Sequence, residues 1–267
     1  MAISCSASAF KTPLAEALGE IAHLGFRHVD LIGVPSWGHI IPAELAEDFD
    51  GVAGRVETLL ARNGLSATAL GCAFANPYER DDEAVNAQRL REVDACARLA
   101  SRLGAGVVSF YPGYKAPGEP AGDLPAATAA TLREMLPVGA AHGITVAPEP
   151  HFATPLEELD VVRGLLGELP ELTVVYDPSH WAMQEIDLRE TEFMLARTCH
   201  VHLRDAAPGK MQTPFGAGTV DFDWILDALA ERRYAGRFAI EYLPDLEGGD
   251  VTEQITRLRD ALAARLG

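Results

Sequence analysis

Lysine is nearly missing from this sequence. Only Lys11, Lys115 and Lys210 occur in 267 residues, and 22 basic side chains face 39 acidic ones, for a formal charge of −17. With no basic cluster, such a surface repels phosphate backbones and anionic membranes, so neither nucleic acid nor a membrane is an expected partner. Cysteine is also sparse: Cys5, Cys72, Cys96 and Cys199 form no C-x-x-C pair. Small buried thiols in a reducing cytoplasm are the expectation. No apolar run approaches the length of a membrane span. The opening "MAISCSASAF" has no basic segment ahead of its apolar stretch and does not read as a signal peptide. There is no H-E-x-x-H and no G-x-S-x-G, which removes the commonest zinc-protease and serine-hydrolase signatures. "FGAG" at Phe215 lacks the third glycine of a dinucleotide loop.

What is present is alternation. Short apolar runs, "ISCSA", "HVDLI", "LSATAL", "GVVSF", "ITVAP", "TVVY", "HVHL" and "FAIEY", are each followed by an amphipathic stretch. The stretches begin near Pro13, Pro42, Asp82, Pro125, Pro155, Arg189, Asp221 and Val251. Proline in a first turn, as in "LPAAT" and "TPLEEL", and the Asp221 cap of "VDFDWILDALAERR" mark helix starts. Glycine in "LARNGLSA" and "AAHGITV" marks helix ends. Eight strand–helix repeats predict an α/β fold, a single (β/α)₈ TIM barrel over residues 1–267, with a doubly wound sheet as the alternative.

In a parallel barrel the carboxyl ends of the strands share one mouth, where catalytic groups sit. The last four strands reach Glu149, Asp177, His202 and Glu241. Period-two alternation puts Thr145, Ala147 and Glu149 on one face, and likewise Thr173, Val175 and Asp177; His200 and His202; Ala239 and Glu241. The opposite faces are bulky and apolar, as helix-facing surfaces are, so the ionisable faces look inward. One acid at a strand end is ordinarily a cap or turn residue; four successive strands ending alike argue for a shared task. Three carboxylates at one mouth repel one another, and a divalent cation removes the conflict. Three oxygen donors with one imidazole suit one Mn²⁺ or Mg²⁺, with Co²⁺ or Zn²⁺ as alternatives.

The motifs "EPH" at Glu149, "DPSH" at Asp177, "HVHLRD" at His200, "GAGTVDF" at Gly216 and "IEY" at Ile240 resemble the xylose-isomerase-like barrels. That superfamily comprises sugar isomerases and epimerases with endonuclease relatives. The resemblance covers essentially the whole chain. It implies that Glu149, Asp177, His202 and Glu241 hold one metal, that Glu149 and Glu241 also move protons, and that His180 contacts substrate. The endonuclease relatives need three zinc ions and extra histidines; "GCAFANPY" and "FYPGYK", after strands three and four, carry none.

Other candidates are weighed singly. His151 is equally suited to substrate contact and to a loop cap. Trp37 and His39 in "VPSWGHI", and Trp181, are candidate pocket walls. Arg204 is a candidate for an anionic substrate group, whereas Lys210 reads as a solvated loop charge. His200 is expected one layer below His202. The long segment "RDAAPGKMQTPFGAG" has the length of a lid. The expected activity is metal-dependent isomerisation or epimerisation of a small sugar or keto-polyol through an enediolate. β-Elimination from a keto-sugar, inosose or oxidised glycoside is the alternative. The expected partner is the small sugar-like substrate, and homo-oligomerisation is left open.

Overall fold

The computed structural model describes residues 2–74, 82–113 and 124–266. Eight strands are present: β1 (Ile3–Ser6), β2 (His28–Gly33), β3 (Ser66–Cys72), β4 (Val107–Phe110), β5 (Thr145–Pro148), β6 (Val174–Tyr176), β7 (Thr198–Leu203) and β8 (Arg237–Ile240). Every ladder is parallel, in the order β5-β4-β3-β2-β1-β8-β7-β6, and β5 meets β6 to give a nearly closed barrel. The helices are α1 (Leu14–His23), α2 (Pro42–Glu47), α3 (Phe49–Asn63), α4 (Glu83–Leu103), α5 (Leu124–Ala141), α6 (Leu159–Glu168), α7 (Ser179–Ala182), α8 (Glu192–Leu195), α9 (Phe222–Glu231) and α10 (Val251–Leu266). No helix among the described residues is long and apolar enough to cross a membrane.

The local chemistry explains most boundaries. The Asp82 carboxylate accepts from Ala84 N and Val85 N at the start of α4, and Asp221 accepts from Trp224 N at the start of α9. Gly64 and Gly104 take left-handed backbone angles that close α3 and α4. Three expectations need correction. The helix expected from Pro155 begins at Leu159, because Thr154 and Glu157 hold the preceding turn: Thr154 Oγ1 accepts from Leu156 N and Glu157 accepts from Ala153 N. The helix expected at Arg189 is a 3₁₀ turn running into the four-residue α8. The stretch from Pro42 is split at Asp48, whose non-helical backbone ends α2 while its carboxylate caps α3 through Gly51 N.

Two packed regions follow from the period of the strands. Ala69, Val107, Ala147 and Val175 form a small buried cluster within the barrel. The opposite strand faces, including Val29, Leu31, Val146, Val174, Tyr176, Val201 and Phe238, join the helices in the large core. Small residues inside leave the upper barrel to polar side chains, which is where the inward faces of β5 to β8 become ionisable.

The α5–β5 contact is tight at Gly139. A Cβ there would overlap Val146 Cγ2 and lie 2.9 Å from the Ile144 carbonyl oxygen. Gly139→Ala is therefore expected to destabilise the protein by about 1–3 kcal/mol in urea unfolding, as overpacking does. Gly164→Ala on α6, where a Cβ meets nothing, is expected to stabilise it by about 0.4–1 kcal/mol.

Candidate active site

Glu149 and Glu241 lie one residue beyond their strands, yet the ladder still holds them. Glu149 N donates to Phe110 O at 2.8 Å, and Glu241 N donates to Leu203 O at 3.0 Å. Asp177 follows β6 and His202 lies in β7. Each of the four offers one donor atom, and these atoms all lie within 4.8 Å of one another. His202 Nδ1 is 2.9 Å from Glu149 Oε1 and 3.0 Å from Glu241 Oε2.

Arg204, just past the end of β7, is buried within this anionic cluster and lines the cavity above it. Its Nη2 donates to Asp177 Oδ2 at 2.8 Å, its Nε to Ser179 Oγ at 2.8 Å and its Nη1 to the Glu241 carbonyl at 3.0 Å. It is 2% exposed, so it is not a solvated loop charge. The second Asp177 oxygen accepts from Ser179 N at 2.8 Å, a turn that starts α7.

The electrostatics are those of several buried charges sharing one space. Burial opposes ionisation of Glu241, but His202 and then Arg204 outweigh it and hold its carboxyl at about 2. Burial likewise opposes charge on His202, yet Glu241 and Glu149 lift it well above the ordinary imidazole range. Asp177 moves upward, through burial and the two neighbouring glutamates, against the pull of Arg204. The oxygen-rich donor set with one imidazole fits a divalent cation, which would take the place of the proton that the glutamates otherwise hold on His202.

Sequence reasoning missed Asp30. It lies on the inward face of β2 and is 2% exposed. Ser4 Oγ donates to it at 2.8 Å, Thr68 Oγ1 also donates, and His200 Nε2 lies 2.5 Å away. His202 Nε2 is 3.6 Å from the same carboxylate. Asp30 therefore faces one nitrogen of His202 while the two glutamates face the other, which orients the ring. Asp30, His200 and His202 also stand close enough to hold an ion, but the Asp30 oxygens are already taken by Ser4, Thr68 and His200. The signal was present in "HVDLI": an acid at an alternating position of an otherwise apolar strand. His200 sits one layer below His202, as expected.

A cavity of about 220 Å³ opens above the cluster. Glu149, Glu241, Arg204, His180 and His151 line it together with the largely apolar Ile32, Val34, Trp37, Met211 and Leu243. His180 is on α7, not in a solvated loop, and is 1% exposed. Its Nε2 is 3.2 Å from Arg204 Nη2. Arginine only donates, so His180 Nε2 accepts and the neutral ring carries its proton on Nδ1. That Nδ1 is buried without a hydrogen-bond partner among the described residues. Burial, then His151 and Arg204, push the His180 pKa well below its ordinary value, keeping the ring neutral. The His151 ring lies 3.8 Å from that of His180. His39 and Trp181 do not line the cavity: His39 Nε2 bonds to Thr12 O at 2.8 Å, and Trp181 is packed in the core. Lys210 is exposed beside Glu247.

The segment after β7 is tied down by a second residue that the sequence did not reveal. The Asp205 carboxylate accepts from the backbone N of Ala206, Gly216, Gly218 and Val220. A Cβ on Gly218 would overlap that carboxylate. The glycines of "GAGTVDF" thus serve an internal anion, not a nucleotide. Parts of the histidine-free segments after β3 and β4, residues 75–81 and 114–123, lie outside the described residues.

The sequence model of the xylose isomerase-like TIM barrel family matches residues 18–262. The chain belongs to this family. The L-ribulose-5-phosphate 3-epimerase of Salmonella paratyphi B is 24% identical over 195 residues, covering 71% of this chain and 68% of that protein. A solved L-ribulose 3-epimerase superposes with a TM-score of 0.77 at 18% identity, covering 99% of this chain and 94% of that one. The solved IOLI protein with a bound zinc atom has a TM-score of 0.73 at 17% identity, covering 99% and 97%.

Asp30→Asn keeps the shape but removes a buried, paired charge. A loss of about 3–5 kcal/mol in urea unfolding at neutral pH is expected, as for other broken buried pairs, and none measurable for the exposed Asp245→Asn. Burial opposes the Asp30 charge, but His200 outweighs it and depresses the folded pKa. The stabilisation from that charge is thus present above the unfolded value near 3.9 and lost as pH falls towards the folded one, so the gap between variant and parent should narrow in acid.

Proposed function

We infer that this protein is a divalent-metal-dependent isomerase or epimerase of a small sugar or keto-polyol. The observation that carries the reading is the convergence of Glu149, Asp177, His202 and Glu241 within 4.8 Å beside a cavity of about 220 Å³. The epimerase relatives, and the zinc atom of one structural neighbour, support it. Glu149, Asp177, His202 and Glu241 would hold one ion, Mn²⁺ being the best match to the donor set, with Mg²⁺, Co²⁺ or Zn²⁺ as alternatives. When bound, such an ion supplies Lewis acidity that polarises a substrate carbonyl and acidifies the adjacent C–H.

The chain's own residues supply the rest. Glu149 and Glu241 come from strands on either side of β6 and β7, so they approach a flat enediolate from different directions. One takes the proton from the carbon beside the carbonyl, the C–H electron pair becoming the C=C bond while the C=O π pair moves onto the carbonyl oxygen. The other returns a proton to the opposite face and inverts the centre. Glu241, held ionised by His202 and Arg204, is ready to accept. His180 offers its unpartnered Nδ1–H to a substrate oxygen, and His151 and Trp37 wall the sugar. Arg204 keeps Asp177 and the Glu241 backbone in place while facing the cavity. The four cysteines are free thiols, which suits a cytoplasmic setting. Expulsion of a β leaving group from the same enediolate would give the lyase outcome, separable by product analysis.

One equivalent of Mn²⁺ per chain should bind to stripped protein and restore turnover of a ketose lost on chelation. Asp177→Ala should abolish that binding by elemental analysis, while His180→Ala should keep the metal and lose substrate affinity or turnover. Three tightly held zinc ions per chain, or equal metal loss in both variants, would refute the assignment.

Glu149→Gln and Glu241→Gln keep size and an oxygen donor but remove the proton acceptor. Each metal-loaded variant is expected to lose on the order of 10²–10⁴-fold in turnover. In deuterated water, the variant that still exchanges the substrate proton without forming product identifies its remaining glutamate as the abstracting base. Near-normal rates in both would exclude the two-glutamate mechanism.

A further inference from the structure

The first strand and the turn after it carry serine at alternate positions. The run "ISCSASAF" places Ser4, Ser6 and Ser8 two residues apart. Ser4 and Ser6 are fully buried, and Ser8 is 4% exposed. Ser4 is bonded to Asp30. The other two form a chain that ends on a glutamate of the site. Ser6 Oγ donates to Glu241 Oε1 at 3.4 Å, and Ser8 Oγ donates to Ser6 Oγ at 2.8 Å. Ser6 also caps the 3₁₀ turn Ala7–Ala9 by accepting from Ser8 N at 3.3 Å, which folds Ser8 back over it. Trp37 Nε1 donates to Ser8 O at 3.0 Å and fixes the same residue through its carbonyl. Ser8 and Glu241 both line the catalytic cavity.

The direction of the chain follows from what its members can offer. A carboxylate oxygen only accepts, so the single Ser6 proton goes to Glu241. Glu241 Oε2 is turned to His202 Nδ1 at 3.0 Å and Arg204 Nη1 at 3.8 Å, which leaves Oε1 for the serine. The two lone pairs of Ser6 Oγ take the N–H and the O–H of Ser8. The single Ser8 proton is therefore committed inward, and its oxygen has lone pairs but no proton for the cavity. His180 is the reverse case: its Nε2 accepts from Arg204, so its Nδ1–H is a donor without a partner among the described residues. A substrate meets one committed donor and one committed acceptor.

We propose that Ser8 is a specificity-determining residue whose Oγ accepts a hydrogen bond from one substrate hydroxyl, and that Ser6 is the positioning residue that sets this direction. The proposal rests on the epimerase reading of the cavity. An ether oxygen, a fluorine or a phosphate oxygen at the same point sets lone pair against lone pair. That repulsive element selects for a free hydroxyl.

The test replaces single hydroxyls of L-ribulose at C1, C4 and C5 by hydrogen or by fluorine, which accepts weakly and cannot donate. Affinities for the parent, Ser8→Ala and Ser6→Ala, each with Mn²⁺ in excess, are read by calorimetry. In the parent, one position is expected to lose about tenfold when its hydroxyl becomes hydrogen, the scale of one hydrogen bond. It should lose at least as much when the hydroxyl becomes fluorine. Ser8→Ala should bring the three ligands of that position within about threefold of one another. Ser6→Ala frees the Ser8 proton to turn to the cavity, so there the fluoro ligand should outbind the deoxy ligand by about threefold, a reversal that a merely structural serine does not produce. A parent that prefers fluorine to hydrogen at the coupled position makes Ser8 a donor, and the absence of any position coupled to Ser8 makes it a bystander; either overturns the proposal. A Ser6→Ala protein that keeps the parent's ranking overturns the role of Ser6. Exchange of the C3 proton with deuterated solvent is followed by NMR on the same ligands. Coupling to Ser8 without exchange would overturn the epimerase reading while the Ser8 contact stands, and a parent that neither binds nor exchanges L-ribulose would overturn both.

Discussion

Three carboxylates held beside one imidazole in a buried space are an electrostatic conflict, and much of the upper barrel can be traced to it. Two unit charges 4 Å apart interact by about 4 kcal/mol at the effective dielectric of a protein edge. Glu149, Asp177 and Glu241 each bring an oxygen within 4.8 Å of the others, in the range where that repulsion acts. Arg204 is buried among them because the conflict needs a cation that cannot be deprotonated. Its guanidinium carries five N–H groups, and Ser179, the Glu241 carbonyl, Asp177 and His180 take four of them. The short helix that begins at Ser179 exists where that demand and the Asp177 turn coincide, and it carries His180 to the cavity.

The same logic runs down the barrel. His202 draws positive charge from the glutamates on one side and faces Asp30 on the other. Asp30 is itself saturated by Ser4, Thr68 and His200. Charge therefore alternates in layers from the interior to the mouth, and each layer holds the one above in orientation. Small apolar residues below, such as Ala69 and Ala147, leave room for this polar column.

All eight strands and the four converging residues were readable from the sequence because both depend on period-two alternation, which is strictly local. An apolar outer face and an inner face ending on an ionisable group can be recognised without knowing what lies opposite. Asp30 and Asp205 were harder to see. Their importance comes from partners far along the chain, His200 in one case and the amides of Gly216 to Val220 in the other. Helix starts failed where a side chain captured the backbone first, as Thr154 and Glu157 do ahead of α6. His39 and Trp181 were read as wall candidates because aromatic residues close to strand ends have that potential. Which way a ring turns is decided by its hydrogen bond or its packing, Thr12 O for His39 and the core for Trp181.

Asp205 separates two kinds of freedom in the segment after β7. By gathering the amides of residues 216, 218 and 220 onto one carboxylate, it closes that segment at its base directly beside Arg204. Between residues 207 and 214, Met211 lines the cavity, and Thr213 N ties the end of this stretch back to the Asp205 carbonyl. Selection can rewrite that tip, lengthen it or change its charge, and the strand end beneath keeps its register. A barrel built this way can acquire new substrates by drift in one loop while its proton-transfer machinery stays in place.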